Sequence, residues 1–370
     1  MSQLDHYGAI LTIDLDAIAE NYKLLRGTFT GGECAAVVKA DAYGLGAGKV
    51  APALARAGCE TFFVAQLQEG IDLRAIVPAA DIHVLNGLLP GTESVFAEYR
   101  LVPVLNSLGN IESWKRFLGT QPPGAVPPAD IHLDSGMLRL GLPPEEIAVL
   151  AREPDRLDGV PLAVILSHLA CAAELEHPLN PQHLAAFKED LAKLPTARVS
   201  FCGSSAIFLG PDYHFDLARP GAALYGINPL PGRPNPMRQT VRLQGKILQV
   251  RDVDTPQTVG YGATHRITRK GKIATVAVGY ADGFFRTLGN RGCGYIGDIR
   301  VPIVGRVSMD LITVDVGDVP SSHLHPGALV DLIGRDRDPD TVAEDAGTIG
   351  YEVLTALGPR YHRVYRNEAG

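Results

Sequence analysis

Residues 35–46 read Ala35-Ala36-Val37-Val38-Lys39-Ala40-Asp41-Ala42-Tyr43-Gly44-Leu45-Gly46, so a lysine stands where an apolar run ends and a glycine-rich loop begins. The residues before Lys39 are typical of a buried strand, and the glycines after it of a tight strand-to-helix connection. A lysine held there faces a site instead of bulk water, and a desolvated lysine can form a Schiff base with a carbonyl. A lysine that reaches solvent from a strand end is commoner. The catalytic interpretation of Lys39 therefore depends on the rest of the chain.

The composition is that of an ordinary globular protein. The 370 residues are too many for one average domain and predict two, and 46% of them are hydrophobic and 20% charged. The formal charge of −7 is spread without a basic block, which argues against binding to nucleic acid or to a membrane surface. The five cysteines show no ligand-like spacing, so we expect reduced core residues and no zinc.

Neither a membrane span nor an export signal is expected. No stretch approaches the eighteen or so continuous apolar residues of a transmembrane helix. The first residues, Met1 to His6, lack the basic and then apolar pattern of a secretion signal. With the cysteine usage, this predicts a cytoplasmic protein.

Strands and helices are predicted to alternate along the first two thirds of the chain. Eight short apolar runs are predicted to be strands, at residues 34–38, 61–65, 82–85, 101–105, 131–133, 162–166, 199–202 and 215–218. Amphipathic segments predicted to be helices lie at 14–25, 67–76, 94–99, 111–118, 145–152 and 182–194. This α/β pattern favours a (β/α)8 TIM-type barrel. A doubly wound open sheet gives a similar alternation, and the count alone does not exclude it.

The pattern changes at a proline-rich stretch, residues 229–236. Beyond it, glycine-punctuated apolar segments predict a mainly antiparallel β domain, with strands at 241–250, 273–278, 299–304, 311–316 and 328–333 and a helix near 351–357. We therefore expect a barrel domain over residues 1–232 and a β domain over 233–370. A short entry strand is expected at residues 9–13, and residues 1–12 are free to pair with the second domain.

Polar residues follow several of the predicted barrel strands, and a barrel brings such strand ends to one face. They are Lys39, Asp134, His168, Ser204 or Ser205, and Arg219. Each alone has an ordinary structural explanation: His168 as a hydrogen-bonded core histidine, Arg219 as an ion-pair residue. Together, a Schiff-base lysine, a histidine, hydroxyls and an arginine indicate one catalytic site.

The segment from Ala36 to Gly44 resembles the pyridoxal-phosphate attachment motif of alanine racemases, and the likeness continues in order along the chain. The other matching segments are His132–Gly141 (His-Leu-Asp-Ser-Gly-Met-Leu-Arg-Leu-Gly), Ser167–Ala170, Arg219-Pro220-Gly221 with Leu224-Tyr225-Gly226, Gly260-Tyr261-Gly262, Gly279–Gly283, Gly305–Asp310 and Gly350–Leu354. Any one is weak evidence, but the ordered set across two domains is specific. The resemblance implies a pyridoxal-phosphate-dependent racemase that interconverts L-alanine and D-alanine for cell-wall peptidoglycan. It also implies a head-to-tail homodimer.

The resemblance also implies roles for individual residues. Lys39 would hold the cofactor and act as the base on one face of the substrate, and Tyr261 of the partner subunit would act on the other. A free phenol is a poor base at neutral pH, and the family supports this tyrosine through the residues matching His168 and Arg219. Arg219 would face the pyridine nitrogen, and because an arginine does not give up its proton, the ring stays unprotonated. The remaining implied contacts are Tyr43, Ser204 or Ser205, Gly221, Ala222 and Tyr351 for the phosphate, and Arg139, Met309 and Tyr280 for the substrate.

The chain departs from the family pattern at three places. Leu45 replaces a histidine of the attachment loop, and Ser204-Ser205 stands where Asn-Ser is usual. His132 occupies the place where many members carry a lysine modified to a carbamate, which pins the arginine matching Arg139. A neutral histidine cannot form that ion pair, so another anion such as chloride would have to do so.

Three other functions compete with this interpretation. A serine or broad-specificity racemase of the same fold is the nearest, and Tyr280, which would narrow the pocket, argues against it. A related decarboxylase would carry a carboxylate where Arg219 stands. A non-catalytic pyridoxal-phosphate carrier would need neither Tyr261 nor a second domain.

Overall fold

A computed structural model describes residues 6–122 and 124–367 of the chain. Within them the chain forms two compact units, one of residues 18–42 and 46–238, the other of residues 6–17, 43–45 and 239–367. The segment expected to lack an export signal, Met1 to His6, lies largely outside the described residues. The predicted boundary at 232/233 stays a prediction, and the division between the units falls six residues later, between Arg238 and Gln239.

The first unit is built on parallel strands that follow one another around a barrel. Strands β3 to β9 pair in sequence order, all parallel, and β10 pairs with β2. The strands are β2 (Glu33–Cys34), β3 (Ala36–Val37), β4 (Thr61–Val64), β5 (Asp81–Val84), β6 (Val102–Leu105), β7 (Ala129–His132), β8 (Leu162–Leu166), β9 (Arg198–Ser200) and β10 (Leu217–Ala218). Backbone bonds from Asp216 to Val199 and from Arg219 to Cys202, both 2.9 Å or shorter, join β10 to β9 and close the ring.

Helices of the first unit fill the connections between these strands. They are α1 (Leu15–Thr28), which begins in the other unit, a helical segment α2 (Lys39–Tyr43), which ends there, and α3 (Ala47–Arg56), α4 (Leu67–Ile76), α5 (Glu93–Glu98), α6 (Leu108–Leu118), α7 (Pro144–Arg152) and α8 (Leu179–Leu191). Helix α6 begins at a short polar residue: Ser107 Oγ accepts from Asn110 N–H at 3.2 Å. The predicted (β/α)8 barrel is confirmed.

The second unit is dominated by antiparallel pairing around one long strand. Strand β11 pairs with β1, β14 and β18, and β1 also pairs in parallel with β19. The strands are β1 (Ala9–Asp14), β11 (Val241–Val253), β12 (Thr258–Val259), β13 (His265–Arg266), β14 (Gly271–Val276), β15 (Cys293–Ile296), β16 (Ile299–Pro302), β17 (Ile312–Asp315), β18 (Leu329–Ile333) and β19 (His362–Arg366). Two helices, α9 (Pro339–Ala346) and α10 (Gly350–Thr355), complete it. The mainly β second part is also confirmed.

The differences from the sequence-based expectation are local. The first expected strand is interrupted at Ala35, and helix α3, which contains Pro52, was not predicted because an internal proline removes a helical hydrogen bond. Strands β15 and β19 and helix α9 were also missed. Within residues 6–122 and 124–367, no helix is long and apolar enough to cross a membrane.

Candidate active site

Lys39 begins a left-handed turn at the carboxyl end of β3. Residues 40, 41, 42 and 43 all have positive φ, from 52° to 55°. Left-handed geometry costs an L-residue about 1–2 kcal/mol, and the sequence Ala-Asp-Ala-Tyr has no glycine to relieve it. The turn is held by Asp41, whose side chain accepts from Ala47 N–H at 2.7 Å and whose carbonyl accepts from Gly46 N–H at 2.8 Å. The backbone that follows Lys39 is therefore strained, and these hydrogen bonds hold it in place.

The amine of Lys39 lies in a positively charged, partly desolvated environment. Burial lowers the pKa of Lys39, the charge of Arg139 lowers it further, and the carboxylate of Glu69 opposes both. A lowered pKa leaves more of the neutral amine at a given pH, which is the form that attacks a carbonyl or accepts a proton. The desolvation of Lys39 that the sequence predicts is thus present in the structure.

Arg219 is buried at the carboxyl end of β10, with 6% of its surface exposed. Its Nη2 donates to the carbonyl of Ser167 at 2.6 Å and its Nη1 donates to Ser200 Oγ. The guanidinium carbon lies 5.8 Å from the centre of the Phe63 ring. Burial lowers the pKa of Arg219 to about 10, against the opposing influence of Cys202 and Asp130, so the group remains a cation at neutral pH.

His132, at the end of β7, is a neutral histidine whose protonated nitrogen can be assigned. Asn106 Nδ2 donates to the carbonyls of Val104 and Leu85 at 3.0 and 3.2 Å, so its Oδ1 is the acceptor that faces His132 Nδ1 at 2.8 Å. His132 therefore carries its proton on Nδ1 and keeps a lone pair on Nε2. Burial and then the charge of Arg219 lower its pKa to about 4, outweighing Asp134.

His168, which follows β8, is the point on which the other groups converge. Burial is the largest cause that lowers its pKa to about 3, followed by the charges of Arg219 and Arg139 and then by His132 and Lys39. Gly203 leaves room beside it, since a Cβ there would lie 3.2 Å from His168 Cε1. The strand ends thus bring Lys39, His132, His168 and Arg219 into one electrostatic cluster, with Arg139 on the exposed loop beyond β7.

Asp134 has a structural task in the same region. Its Oδ1 accepts from the N–H groups of Gly136, Met137 and Leu138 at 2.9 to 3.1 Å. The carboxylate thereby shapes the loop that carries Arg139. Asp134 therefore has a loop-forming role in addition to its charge, which acts on His132.

The two candidate phosphate-binding serines differ in environment. Ser204 Oγ accepts from the N–H groups of Gly221 and Ala223 at 3.0 and 3.2 Å, so it joins the loop after β9 to the loop after β10. Its hydroxyl proton is still available to a further acceptor. Ser205 is buried, with 8% of its surface exposed, and opens a short 3-10 helix, Ser205–Leu209.

The second unit holds the other expected site residues. Tyr261, Met309 and Tyr280 are 73%, 54% and 43% exposed. Tyr280 N–H donates to Ser308 O at 3.0 Å and Ala281 N–H to Met309 O at 2.9 Å, so the two loops lie side by side. Arg360 clamps them, contacting Asp282 and Asp310 at 2.7 Å each.

Tyr43 and Tyr351 form a pair within the second unit. Their ring centres are 6.2 Å apart at an angle of 50°. Burial raises the pKa of both phenols, which keeps each hydroxyl protonated and able to donate a hydrogen bond. Gly44 beside them cannot carry a side chain, because its φ is +82° and a Cβ would lie 2.5 Å from Leu354 O.

The first unit fits a negatively charged carbonyl cofactor. Lys39, Arg139 and Arg219 are three cations that act together on His168, a concentration of charge suited to a phosphate and a carboxylate. The lowered pKa of Lys39 makes its amine easier to deprotonate, which suits attack on an aldehyde. Gly203 leaves space beside His168 that a Cβ would narrow. Of the groups that build this arrangement, sequence reasoning missed Asn106, Ser200 and Glu69. Only Asn106 gave a signal, a polar residue directly after an apolar run.

Family models match both parts of the chain. Residues 13–229 match the alanine racemase N-terminal domain, and residues 240–365 match the alanine racemase C-terminal domain. The alanine racemase of Rhodospirillum rubrum is 52% identical over 367 residues, which are 99% of this chain and 98% of that protein. A catabolic alanine racemase of Mesorhizobium japonicum is 49% identical over 359 residues, 97% of this chain and 93% of that protein.

Solved structures agree with the sequence comparison. The alanine racemase of Bartonella henselae with covalently bound pyridoxal phosphate superposes with a TM-score of 0.93 at 43% identity, covering 97% of this chain and 99% of that one. The biosynthetic alanine racemase of Pseudomonas aeruginosa gives a TM-score of 0.89 at 35% identity, covering 98% and 100%.

Proposed function

The chain belongs to the alanine racemase family, and on that basis we propose how its own residues divide the interconversion of L-alanine and D-alanine. The reaction removes a weakly acidic Cα proton and returns one from the opposite face, so two proton-transferring groups are needed. Pyridoxal phosphate is the cofactor, and when bound it withdraws the electron pair left at Cα. The observation that carries the proposal is the cluster of Lys39, His132, His168 and Arg219 at the barrel mouth.

Lys39 is the attachment residue and the base on one face of the substrate. Its amine has a lowered pKa, so more of the neutral form needed for both tasks is present at a given pH. The strained turn from Ala40 to Tyr43 fixes the direction from which the side chain enters the site. Proton transfer from Cα needs such positioning, since misplacement of the base by about 1 Å can lower the rate about 100-fold.

Tyr261 of the partner subunit is the base on the other face, in a head-to-tail homodimer. Tyr261 is 73% exposed, and the exposed side chains of Tyr280 and Met309 share its unit. A phenol acts as a base only where neighbouring positive charge or hydrogen bonds favour its anion. The cation cluster of another subunit's barrel is a surface that provides them, with His168, neutral and therefore able to relay a hydrogen bond, as the contact.

Arg219 would face the pyridine nitrogen of the cofactor and leave it unprotonated. It stays cationic, since its pKa is about 10, and it is aimed by Ser167 and Ser200. A group that donates a hydrogen bond without giving up its proton limits electron withdrawal into the ring, and this favours prompt return of a proton to Cα over transamination.

The remaining residues bind the two anionic groups. The phosphate is held by the hydroxyls of Tyr43, Tyr351 and Ser204 or Ser205 and by the backbone at Gly221 and Ala222, where the Gly221 N–H already donates to Ser204 Oγ at 3.0 Å. The substrate carboxylate is held by Arg139 and the N–H of Met309, and Tyr280 limits the side chain to one about the size of a methyl group. His132 is neutral, with its proton on Nδ1, so an anion such as chloride would pair with Arg139.

The proposed location is the cytoplasm, because all five cysteines are free. The proposed use of the product is D-alanine for peptidoglycan. Expression in a bacterium unable to make D-alanine should then allow growth without added D-alanine, while the Lys39→Ala variant should not.

Subunit complementation tests the two-base assignment. Lys39→Ala and Tyr261→Phe should each be inactive as homodimers, with racemisation lowered about 1,000-fold or more. Exchanging subunits between the two variants puts an intact Lys39 and an intact Tyr261 at one site of each mixed dimer. Random mixing should restore about a quarter of the parent activity, measured by chiral chromatography of alanine.

The outcomes separate the alternatives. If both bases came from one chain, the mixture would remain inactive at every ratio. Retained racemisation by the Tyr261→Phe homodimer would remove Tyr261 from the mechanism. L-serine offered at the same concentration should react more slowly than L-alanine, and equal rates would contradict the role of Tyr280.

A further inference from the structure

Glu69 lies beside the left-handed turn that carries Lys39, although no motif of the sequence pointed to it. Its Oε1 accepts from Ala40 N–H at 2.6 Å, and its Oε2 accepts from Ala65 and Gln66 N–H at 2.8 and 2.9 Å. One carboxylate therefore joins the first residue after Lys39 to the loop between β4 and α4. Hydrogen bonds to an ionised carboxylate are about twice as strong as neutral ones.

This bridge acts where the backbone is most strained. Ala40 is the first of four consecutive residues with positive φ, at 52°. Such residues persist only where their surroundings hold them. On the far side of the turn, Asp41 accepts from Ala47 N–H at 2.7 Å, so acidic side chains hold the turn at both ends.

Glu69 also affects Lys39 through its charge. Its carboxylate raises the pKa of Lys39 against the lowering effects of burial and Arg139. The ordinary role of such a residue is to complete the capping box at the start of α4, which Gln66 and Glu69 do. The bond to Ala40 is not part of a capping box, because it reaches a different strand–helix connection.

We propose that Glu69 is a positioning residue for Lys39, joining the turn that follows the lysine to the neighbouring loop of the barrel. The proposal rests on the proposed function of Lys39 as the attachment residue. In this role Glu69 sets the direction of the lysine side chain, and its negative charge offsets part of the positive charge around the lysine amine.

Two substitutions separate these contributions. Glu69→Gln keeps the length of the side chain but removes its charge and one acceptor. Glu69→Asp keeps the charge but is one methylene shorter, so it cannot reach both Ala40 and the β4–α4 loop. The matched control is Asp72→Asn, which removes the same charge one turn along α4, where exposed Asp72 accepts from Gln68 at 2.9 Å.

Four measurements are made on each full-length protein. Competitive acetylation of the apoprotein against pH, read by mass spectrometry of the Lys39 peptide, reports the pKa of Lys39. Dilution of the holoenzyme reports loss of pyridoxal phosphate, and chiral chromatography reports kcat and KM. Thermal unfolding of each variant reports the capping contribution.

Glu69→Gln should lower the pKa of Lys39, and Glu69→Asp should leave it near the parent value. Both should lose about 10-fold or more in kcat, with a smaller change in KM, because the lysine is misdirected. Asp72→Asn should match the parent throughout. The proposal is overturned if Glu69→Gln and Glu69→Asp lose only thermal stability while kcat and the titration of Lys39 stay at the parent values. Borohydride reduction of the parent holoenzyme that failed to fix cofactor on Lys39 would instead refute the proposed function.

Discussion

Arg219 of the barrel unit and Tyr261 of the β unit lie in opposite environments, one buried and the other exposed to solvent. In the barrel, Arg219 is 6% exposed and its guanidinium is hydrogen-bonded by the chain's own Ser167 and Ser200. In the β unit, Tyr261 is 73% exposed, and it is flanked by Gly260 and Gly262 with φ of +74° and +72°. The barrel residues have their chemical environment within one chain, whereas the Tyr261 side chain still faces solvent.

The two units differ in whether neighbours from the same chain surround the functional side chains. The pKa values of His132 and His168 are lowered by burial and by neighbouring cations of the same unit. The loops of Tyr280 and Met309 are held by Arg360, but the side chains themselves remain open. In the proposed function, a second subunit provides the surroundings that these exposed side chains lack.

The largest expected effect is on the exposed side. Tyr261→Phe should lower racemisation about 1,000-fold, since one face loses its base. Exchange of the Cα proton with heavy water should continue for the enantiomer whose Cα–H faces Lys39, as measured by proton NMR. Tyr295→Phe, on strand β15 of the same unit, is the control and should keep parent rates. Equal loss of exchange from both enantiomers would mean that the two faces are not served by separate groups.

On the buried side, Arg219→Lys should lower kcat about 100-fold, because an ammonium cannot replace the fork that spans Ser167 and Ser200. A buried lysine also releases its proton more readily, so pyruvate from transamination should rise relative to racemisation. Arg242→Lys, whose guanidinium bonds Asp331 at 2.7 and 2.8 Å near the surface, is the matched control. Unchanged pyruvate formation in Arg219→Lys would contradict the role proposed for the arginine.

The sequence predicted the positions of these groups better than their surroundings. Lys39, His168 and Arg219 could be placed because each follows an apolar run, and parallel strands end on one face. The turn of positive φ after Lys39 could not be predicted, since Ala-Asp-Ala-Tyr carries no glycine and its strain depends on tertiary hydrogen bonds. The partners Glu69 and Asn106 lie 29 and 26 residues from the residues they touch, counting 69 − 40 and 132 − 106, and no local pattern encodes such contacts.

The partly buried histidines His132 and His168 predict a loss of stability in acid. The unfolded chain binds protons to histidine below the ordinary pKa of 6.5, whereas folded His132 and His168 stay neutral until about 4 and about 3. Their contribution is therefore full above pH 6.5 and is lost as pH falls, by about 2 kcal/mol for each residue at pH 5. The measurement is urea unfolding of the parent and of His132→Asn between pH 7 and 4.

The slope with pH is the informative quantity in that series. His132→Asn should unfold with a shallower dependence between pH 6.5 and 4 than the parent. Replacing exposed His323 by Asn is the control and should leave the slope unchanged. Parallel curves for the parent and His132→Asn would show that the folded His132 takes up its proton at an ordinary pH.

The smallest expected effect concerns the space beside His168. Gly203→Ala would put a Cβ 3.2 Å from His168 Cε1, closer than usual, so the ring must move by a few tenths of an ångström. A displacement of that size should lower kcat by about three- to fivefold and leave the fold intact. Gly48→Ala, within helix α3, is the control, because its Cβ would lie 4.0 Å from Ile76 Cδ1. This variant should gain about 0.5–1 kcal/mol of stability without a change in kcat. If Gly203→Ala matched Gly48→Ala in kcat, His168 would tolerate displacement, and the close fit of the barrel cluster would not matter for proton transfer from the Tyr261 side.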